Sequence, residues 1–330
     1  ETVIGFTGGP FTVRRNTENE GTKTIKTQTD TLLSLAYKKD EVTGAKWGYE
    51  IAAVLNLPTG KDELTQRELK ALPSDDVVET TSVGKGFDWG PEGKIFFNKA
   101  DSRWFLGGSY TRAGKYDPTA TETITGVVSG DNDSIDAGNK ATFSIGSEST
   151  GIGPKRWKMQ YEYGISDIGG TDATSHTGFA SWAHDEKWIV GFTVALTYSS
   201  IKQDSIKSTN LQRQPEYRDG LFGFFKAEVG YRFVEDWAVK LFTDLQSTSD
   251  SDPQDPTYFI SKDKVAGGIS SSYRLGKTST LEGHYKLFNV TADVPFTRGE
   301  GGLDRGGKDS VEFDGWQVFV GINFAFSTGI

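Results

Sequence analysis

The chain is poor in the residues on which several classes of protein depend. It has 330 residues with no cysteine, one methionine and three histidines. Without cysteine, neither a disulfide framework nor a thiolate metal site can form. No apolar run approaches the roughly 18 residues that a transmembrane helix needs. A net charge of −9 argues against a nucleic-acid partner.

Glycine and aromatic residues are abundant instead. The sequence holds 40 glycines, 12% of its residues are aromatic, and its mean hydropathy is −0.47. A chain this polar can still cross a membrane as a β-barrel, because only alternate residues of each strand face lipid. The chain opens with Glu1-Thr2-Val3 and no basic, apolar leader. We therefore expect the mature form, from which a signal peptide has been removed.

Five tryptophans each follow a charged residue and begin an alternating apolar stretch: Trp47, Trp104, Trp157, Trp188 and Trp237. After Trp188 the even positions stay apolar or aromatic as far as Tyr198. Strands that enter a bilayer through an interfacial aromatic belt have this pattern, and about 9–11 residues are enough to cross it. The pattern predicts transmembrane strands.

Period-two runs bounded by turn residues predict a single all-β domain over residues 1–330, an antiparallel up-and-down barrel of about 14 strands, with 12 as the alternative. The predicted strands are 2–14, 23–38, 45–57, 80–98, 103–114, 139–147, 156–165, 174–183, 188–202, 218–233, 237–248, 258–275, 280–291 and 311–326. Short and long connections alternate, as in outer-membrane barrels. The predicted long connections are 15–22, 58–79, 115–138, 166–173, 203–217, 249–257 and 292–310, and those near 58–79, 115–138, 203–217 and 292–310 are expected to be extracellular loops.

The last predicted strand places aromatic residues on one face from Trp316 to Phe324 and Phe326. This arrangement resembles the C-terminal signal of bacterial outer-membrane proteins, although four residues follow Phe326. With the five tryptophans above, these three residues form the predicted membrane-interface set. Alternating strands with aromatic residues also occur in soluble sandwiches and lipocalins. The repeated tryptophan starts and the loop asymmetry favour the membrane barrel.

Positions of opposite parity to the tryptophans should face the barrel interior. The predicted lumen-lining residues are Glu50, Lys158, Glu162, Lys226, Glu228, Arg232, Lys240, Asp244, Glu282, His284 and Lys286. Charges of both signs would be costly in an apolar core but are tolerated around water. We interpret the set as the lining of a pore that tunes selectivity. The alternative is a lumen filled with structural ion pairs.

No catalytic constellation is recognisable in the sequence. His284 has lumen parity, and His176 follows a serine without the serine–histidine motif of outer-membrane phospholipases. The acidic segment 131–136 lacks the oxygen ligand and the glycine that a calcium loop needs at its fifth and sixth positions. We therefore predict no enzymatic activity, no catalytic residue, no cofactor and no metal site.

Two short motifs carry a family resemblance. Leu57-Pro58-Thr59-Gly60 ends a predicted strand, and Gly321-Ile-Asn-Phe-Ala-Phe326 lies in the last one. Together they resemble the outer-membrane channel family of the meta-pathway of phenol degradation. The resemblance implies a monomeric barrel, twelve-stranded in that family, that passes small and often hydrophobic compounds. Because 14 strands are predicted here, a related monomeric porin is the alternative.

The sequence thus predicts a porin-like channel in the Gram-negative outer membrane, for passive diffusion of small solutes that include hydrophobic or aromatic compounds. Its expected partners are the lipid bilayer, lipopolysaccharide and those solutes, and the expected state is a monomer. Two alternatives stay open: a structural or adhesion barrel that acts through its loops, and a barrel-embedded hydrolase that would depend on His176 or His284.

Overall fold

A computed structural model gives the fold of most of the chain. The described residues are 2–17, 21–41, 46–60, 86–99, 101–116, 122–124, 127–129, 135–136, 138–150, 153–168, 171–201, 220–248, 261–275, 279–298 and 302–328. No helix in these segments has the length and apolar character needed to span a membrane.

The described residues form antiparallel strands. Their bounds are β1 (Thr2–Thr7), β2 (Pro10–Thr17), β3 (Gly21–Gln28), β4 (Thr31–Lys39), β5 (Trp47–Leu57), β6 (Asp88–Lys99), β7 (Ser102–Arg112), β8 (Lys115–Tyr116), β9 (Glu122–Ile124), β10 (Val127–Ser129), β11 (Ile135–Asp136), β12 (Asn139–Ser149), β13 (Lys155–Ile168), β14 (Thr171–Asp185), β15 (Trp188–Ile201), β16 (Gly220–Val234), β17 (Trp237–Thr248), β18 (Ser261–Arg274), β19 (Ser279–Arg298) and β20 (Gly302–Thr328).

Sixteen of these strands form one sheet, in which neighbours along the chain are mostly neighbours in space. The order is β1-β4-β5-β6-β7-β12-β13-β14-β15-β16-β17-β18-β19-β20-β2-β3, and β1 also pairs with β20. The first strand therefore has β4 on one side and the C-terminal part of the last strand on the other. The predicted all-β, up-and-down antiparallel arrangement is confirmed.

The strand count differs from the predicted 14 because each of the first two predicted strands is interrupted. Phe6 faces Phe324 and Phe11 faces Phe319, so β1 and β2 keep one register against β20. Against the next strands, Thr7 faces Leu32 but Pro10 faces Gln28. The β3–β4 side therefore carries one extra residue, which is a β-bulge and divides both predicted strands.

Asp30 links this bulge to the segment that follows β5, by hydrogen bonds to its carboxylate. Its carboxylate is fully buried and accepts a hydrogen bond from Gly60 N at 2.8 Å and one from Asn56 Nδ2 at 3.5 Å. Beside it, Thr29 N donates to Gly9 O at 2.9 Å. A Cβ on Gly9 would lie 2.1 Å from Val320 O, so only glycine fits where the strands approach. The Leu-Pro-Thr-Gly motif is thus held by Asp30, a residue of the bulge between β3 and β4.

Replacing Asp30 with alanine should lower the free energy of unfolding by about 2 kcal/mol, because buried donors lose their acceptor. A urea titration followed by circular dichroism measures this change. Asp236→Ala is the matched control, since Asp236 is half-exposed and 3.7 Å from Arg274, and its loss should cost less than about 1 kcal/mol. Equal losses in the two variants would contradict the anchoring role of Asp30.

The predicted connections need correction at three of the long sites. Strands continue through most of 15–22, 166–173 and 292–310, leaving only residues 18–20, 169–170 and 299–301 between the paired strands. These strand ends pair through backbone hydrogen bonds but are rich in threonine, aspartate and glycine, so they lack an apolar period that the sequence could reveal.

The other predicted long connections fare differently. The predicted loop 115–138 contains two small two-stranded sheets, β8 with β11 and β9 with β10. Residues 61–79 of the loop 58–79, the whole of 203–217 and the whole of 249–257 lie outside the described residues.

Exposure alternates along the strands in the opposite sense to that of a water-soluble sheet. Apolar side chains such as Trp188 and Met159 are exposed by 62% and 61%, whereas Asp244, Lys264 and Lys286 are fully buried. In water-soluble proteins lysine and aspartate are rarely buried and large exposed apolar areas are exceptional. One face of the sheet, called here the apolar face, is therefore covered by hydrophobic side chains, and the other, called the polar face, holds the charges.

Candidate functional site

Aromatic residues form a row on the apolar face beside the short connections. Trp47 faces Phe97, which faces Trp104 across the next strand pair. Further along the sheet, Trp188 packs against Tyr231 with ring centroids 5.0 Å apart. The continuation of the row contains Trp157, Trp182, Phe233, Trp237 and Tyr273.

The structure shows the side-chain exposure of six of the eight predicted membrane-interface residues. Trp47, Trp104, Trp188 and Trp237 are exposed on the apolar face, and Trp157 and Trp316 are half-buried. Trp316 packs against Tyr285 with ring centroids 6.3 Å apart. Phe324 and Phe326 lie in β20, paired with β1, but their side chains lie outside the described part of the structure.

A polar cavity of about 210 Å³ lies on the polar face between β5 and β13. Its lining residues are Glu50, Ala52, Glu92, Gly93, Lys94, Gly107, Gly108, Ser109, Thr142, Ser144, Lys158, Gln160 and Glu162. Five strands that are neighbours in the sheet, β5, β6, β7, β12 and β13, contribute to it. They can do so because alternate residues of each strand point to the same side. Glycine, serine and threonine at positions 107–109, 142 and 144 leave the space open.

Two lysines of this cavity lie over aromatic rings. Lys94 Nζ is 4.5 Å from the centroid of Phe105, and Lys158 Nζ is 5.6 Å from the same ring and 5.7 Å from that of Phe179. Phe105 is almost fully buried and so forms a fixed support. Such cation–π contacts hold an ammonium in place without neutralising its charge.

The cavity also contains acidic side chains that are not committed to ion pairs. No Lys, Arg or His nitrogen among the described residues lies within 4.0 Å of the carboxylates of Glu50, Glu92 or Glu162. Within the same part of the chain, no carboxylate oxygen lies within 4.0 Å of Lys158 Nζ. Glu162 accepts a hydrogen bond from Gln160 at 3.3 Å. Charges of both signs therefore face the cavity.

A second cluster is completely buried on the polar face between β17 and β19. Lys264 Nζ lies 2.8 Å from one oxygen of Asp244, and Lys286 Nζ lies 3.4 Å from the other. Beside this cluster, Gln317 and His284 are in contact, with Nε2 atoms 3.2 Å apart. The pattern matches a structural ion cluster more closely than an open binding site, because none of the three charged side chains reaches solvent.

The remaining predicted lumen-lining residues lie at other points of the sheet. Lys240 Nζ is 3.1 Å from both carboxylate oxygens of Glu228. Lys226 lies over the ring of Phe242 at 5.2 Å. Arg232 binds Asp185 at 2.5 Å near a short connection, and Glu282 is exposed on β19.

The structure thus brings together only part of the predicted set. Glu50, Lys158 and Glu162 share the cavity, Asp244 and Lys286 share the buried cluster, and His284 lies beside that cluster. Three charged residues were missed: Glu92, Lys94 and Lys264. The sequence pattern could have revealed Glu92 and Lys94. Ile95 and Phe97 are apolar and predict the apolar face, so positions 92 and 94, which have the opposite parity, are predicted to lie on the polar face.

His176, one of the two histidines of the hydrolase alternative, contacts tyrosines. His176 lies on the apolar face, where its Nδ1 is 2.7 Å from the hydroxyl of Tyr161 and its ring is 5.1 Å from that of Tyr163. A serine hydrolase needs its base within hydrogen-bond reach of a serine, and here that place is taken by a tyrosine.

Comparison with known proteins gives fold relatives only. No protein-family model and no curated protein sequence matches the chain. A solved FadL homologue of Pseudomonas aeruginosa is similar, with a TM-score of 0.50 and 9% identity over 98% of this chain and 89% of that one. The monoaromatic hydrocarbon channel TodX, as its deltaS2 mutant, has a TM-score of 0.50 and 9% identity over 99% of this chain and 90% of that one.

At identities this low, the likeness shows a shared β-sheet fold and nothing about solutes. It extends along almost the whole of each chain. The predicted resemblance to channels therefore holds at the level of the fold. The narrower resemblance to the phenol meta-pathway family stays a prediction.

Proposed function

We propose that the chain is a porin-like channel of the Gram-negative outer membrane through which small solutes diffuse passively. The observation that carries the proposal is the inverted burial of the sheet, with large apolar side chains exposed on one face and charged side chains enclosed on the other. A lipid-facing exterior around a polar interior produces this distribution.

Closure of the sheet into a barrel is supported by the pairing of its first and last strands. β1 pairs with both β4 and β20, and these two pairings would join the ends of the sheet. Since β2 and β3 continue β1 and β4 beyond the bulge, the barrel that we propose has 14 strands. A closed ring leaves no unpaired strand edge, which the hydrocarbon core of a membrane requires.

The dimensions of the exposed face fit a bilayer. On β15, exposed residues run from Trp188 through Val194 to Tyr198. This stretch of eleven residues is bounded by amphipathic rings and matches the length of a tilted transmembrane strand. Exposed large apolar residues also occur on most of the long strands between β5 and β19, so the apolar face extends over most of the sheet. We propose a monomer whose partners are lipid and lipopolysaccharide.

The solutes proposed are small molecules, hydrophobic or aromatic compounds among them. TodX, a fold relative, is described as a monoaromatic hydrocarbon channel. The polar cavity offers charged and hydroxyl groups to a solute, and its lysines are supported from behind by the rings of Phe105 and Phe179. A cavity of this composition suits solutes that carry a polar or charged group. Transport without chemistry is the proposed activity, so no catalytic residue is assigned.

Single-channel recording in planar bilayers tests this proposal. A stable open level is expected for the purified protein. A protein that inserts into the bilayer but never conducts would instead support the structural or adhesion role and overturn the channel.

Ion selectivity should respond to the unpaired carboxylates of the cavity. The triple variant Glu50→Gln, Glu92→Gln and Glu162→Gln removes three negative charges from the pathway, so the reversal potential in a salt gradient should shift towards anions. Lys99→Gln is a control because Lys99 is exposed near a short connection on the opposite face. An unchanged reversal potential in the triple variant would show that the cavity is not part of the conducting path.

A further inference from the structure

Charges of opposite sign without a direct ion-pair partner among the described residues lie together in the polar cavity, whereas several other ionic groups of the polar face are paired. Arg103 and Glu148 are 2.5 Å apart, Lys240 and Glu228 are 3.1 Å apart, and Asp244 joins two lysines. Arg103 also lies over the ring of Phe96, at 4.8 Å. These charges are neutralised within the sheet, whereas Lys158, Glu50, Glu92 and Glu162 of the cavity have no carboxylate or cationic nitrogen within 4.0 Å among the described residues.

Lys158 is one of the two basic groups that line the cavity. Its ammonium lies over two rings and has no carboxylate within ion-pair distance among the described residues. Lys94, in contrast, already lies 3.9 Å from Glu148. Glu148, Glu162 and Glu50 act on this ammonium from beyond contact distance, so what it lacks is a direct partner. A carboxylate on a bound molecule would supply that contact, and a charge-assisted hydrogen bond of this kind is stronger than a neutral one.

The acidic groups of the cavity favour a solute that carries a positive charge in addition to the carboxylate. Glu50, Glu92 and Glu162 lie around the same space of about 210 Å³. A solute with only a carboxylate would meet three negative groups, and a solute with only an ammonium would leave Lys158 unmatched and be repelled by it. Placing a charged group of the solute beside a cavity residue of the same sign lowers the affinity for that solute.

We propose that the cavity binds small zwitterions of the α-amino-acid type, with the solute carboxylate at Lys158 and its ammonium at the glutamates. This inference rests on the proposed function and names a solute class for the same pathway. The cavity is smaller than the roughly 300–1,000 Å³ of pockets for drug-sized ligands, so the bound molecule is a small one. Hydroxyls of Ser109, Thr142 and Ser144 complete the polar lining.

Three probes that share one aromatic ring separate the alternatives. L-phenylalanine carries both charges at pH 7, phenethylamine is the same molecule without the carboxylate, and 3-phenylpropanoate is the same molecule without the ammonium. Calorimetric titration of the detergent-solubilised protein should give a dissociation constant for phenylalanine about tenfold lower than for either relative, which corresponds to about 1.4 kcal/mol.

Variants assign each charge to its partner. In Lys158→Gln the advantage of phenylalanine over phenethylamine should disappear, because the solute carboxylate has lost its partner. In the triple glutamate-to-glutamine variant the advantage over 3-phenylpropanoate should disappear instead. Lys99→Gln should keep both advantages.

The outcomes that overturn the inference differ from those that overturn the channel. Equal affinity of phenylalanine and either relative, absence of saturable phenylalanine binding, or advantages that survive both variants would each refute the zwitterion site. A protein that conducts but shows one of these results remains a channel. A protein that binds phenylalanine selectively but never conducts keeps the site and loses the transport function.

Discussion

Replacing Asp244 with asparagine should lower the free energy of unfolding by about 3–5 kcal/mol, one of the two largest effects expected for a single substitution in this chain. The carboxylate contacts Lys264 and Lys286 at 2.8 and 3.4 Å, and all three side chains are fully buried. Removing one member of a buried ion cluster leaves charge in a place that water cannot reach. Urea titration of the protein in phospholipid vesicles measures the loss.

Glu228→Gln provides the comparison for Asp244. Its partner Lys240 is 3.1 Å away, but both side chains keep about a quarter of their surface exposed. Solvent screening makes such a pair worth about 1 kcal/mol or less. If Asp244→Asn were as mild as Glu228→Gln, the buried cluster would have no structural importance.

Replacing Val194 with arginine should oppose membrane insertion by about 2–4 kcal/mol, because this side chain lies on the apolar face midway between Trp188 and Tyr198. Tyr198→Arg changes the same face near the interface and should cost only about 0–1 kcal/mol. Folding yield into vesicles, followed by the mobility shift between folded and unfolded protein in electrophoresis, gives the comparison.

The difference in folding yield between these two arginine variants shows whether the apolar face is covered by lipid or by water. On a surface that faces water, an exposed valine can be replaced by arginine at almost no cost, whatever its height along the strand. Equal yields for Val194→Arg and Tyr198→Arg would therefore contradict a lipid-covered apolar face.

The sequence was sufficient to predict the strands because their signals are local. β5 ends at Leu57 and β15 begins at Trp188 as predicted, and β17 occupies the predicted residues 237–248. In each of these strands, alternation of apolar and polar residues follows from exposure of one face to a different environment from the other. Parity alone likewise predicts that Glu50 and Lys158 share a face, and both residues line the polar cavity.

The features that escaped prediction depend on contacts between distant segments. The bulge at Asp30 exists because this residue meets Gly60, 30 positions away. The position of Lys264 beside Asp244 depends on the register between β17 and β18, which no period within either strand determines. Strand ends beyond the apolar band pair through the backbone alone, so their side chains carry no alternating pattern.

The central claim is that lipid covers the apolar face and water reaches the polar face, and spin labels along β15 test it most directly. The chain has no cysteine, so single cysteines can be introduced one at a time from 188 to 198 and labelled without competing sites. In vesicles, power saturation compares accessibility to oxygen, which dissolves in lipid, and to a water-soluble nickel complex. Labels at even positions should respond to oxygen and those at odd positions to nickel. Nickel access at the even positions, or no alternation, would contradict the account.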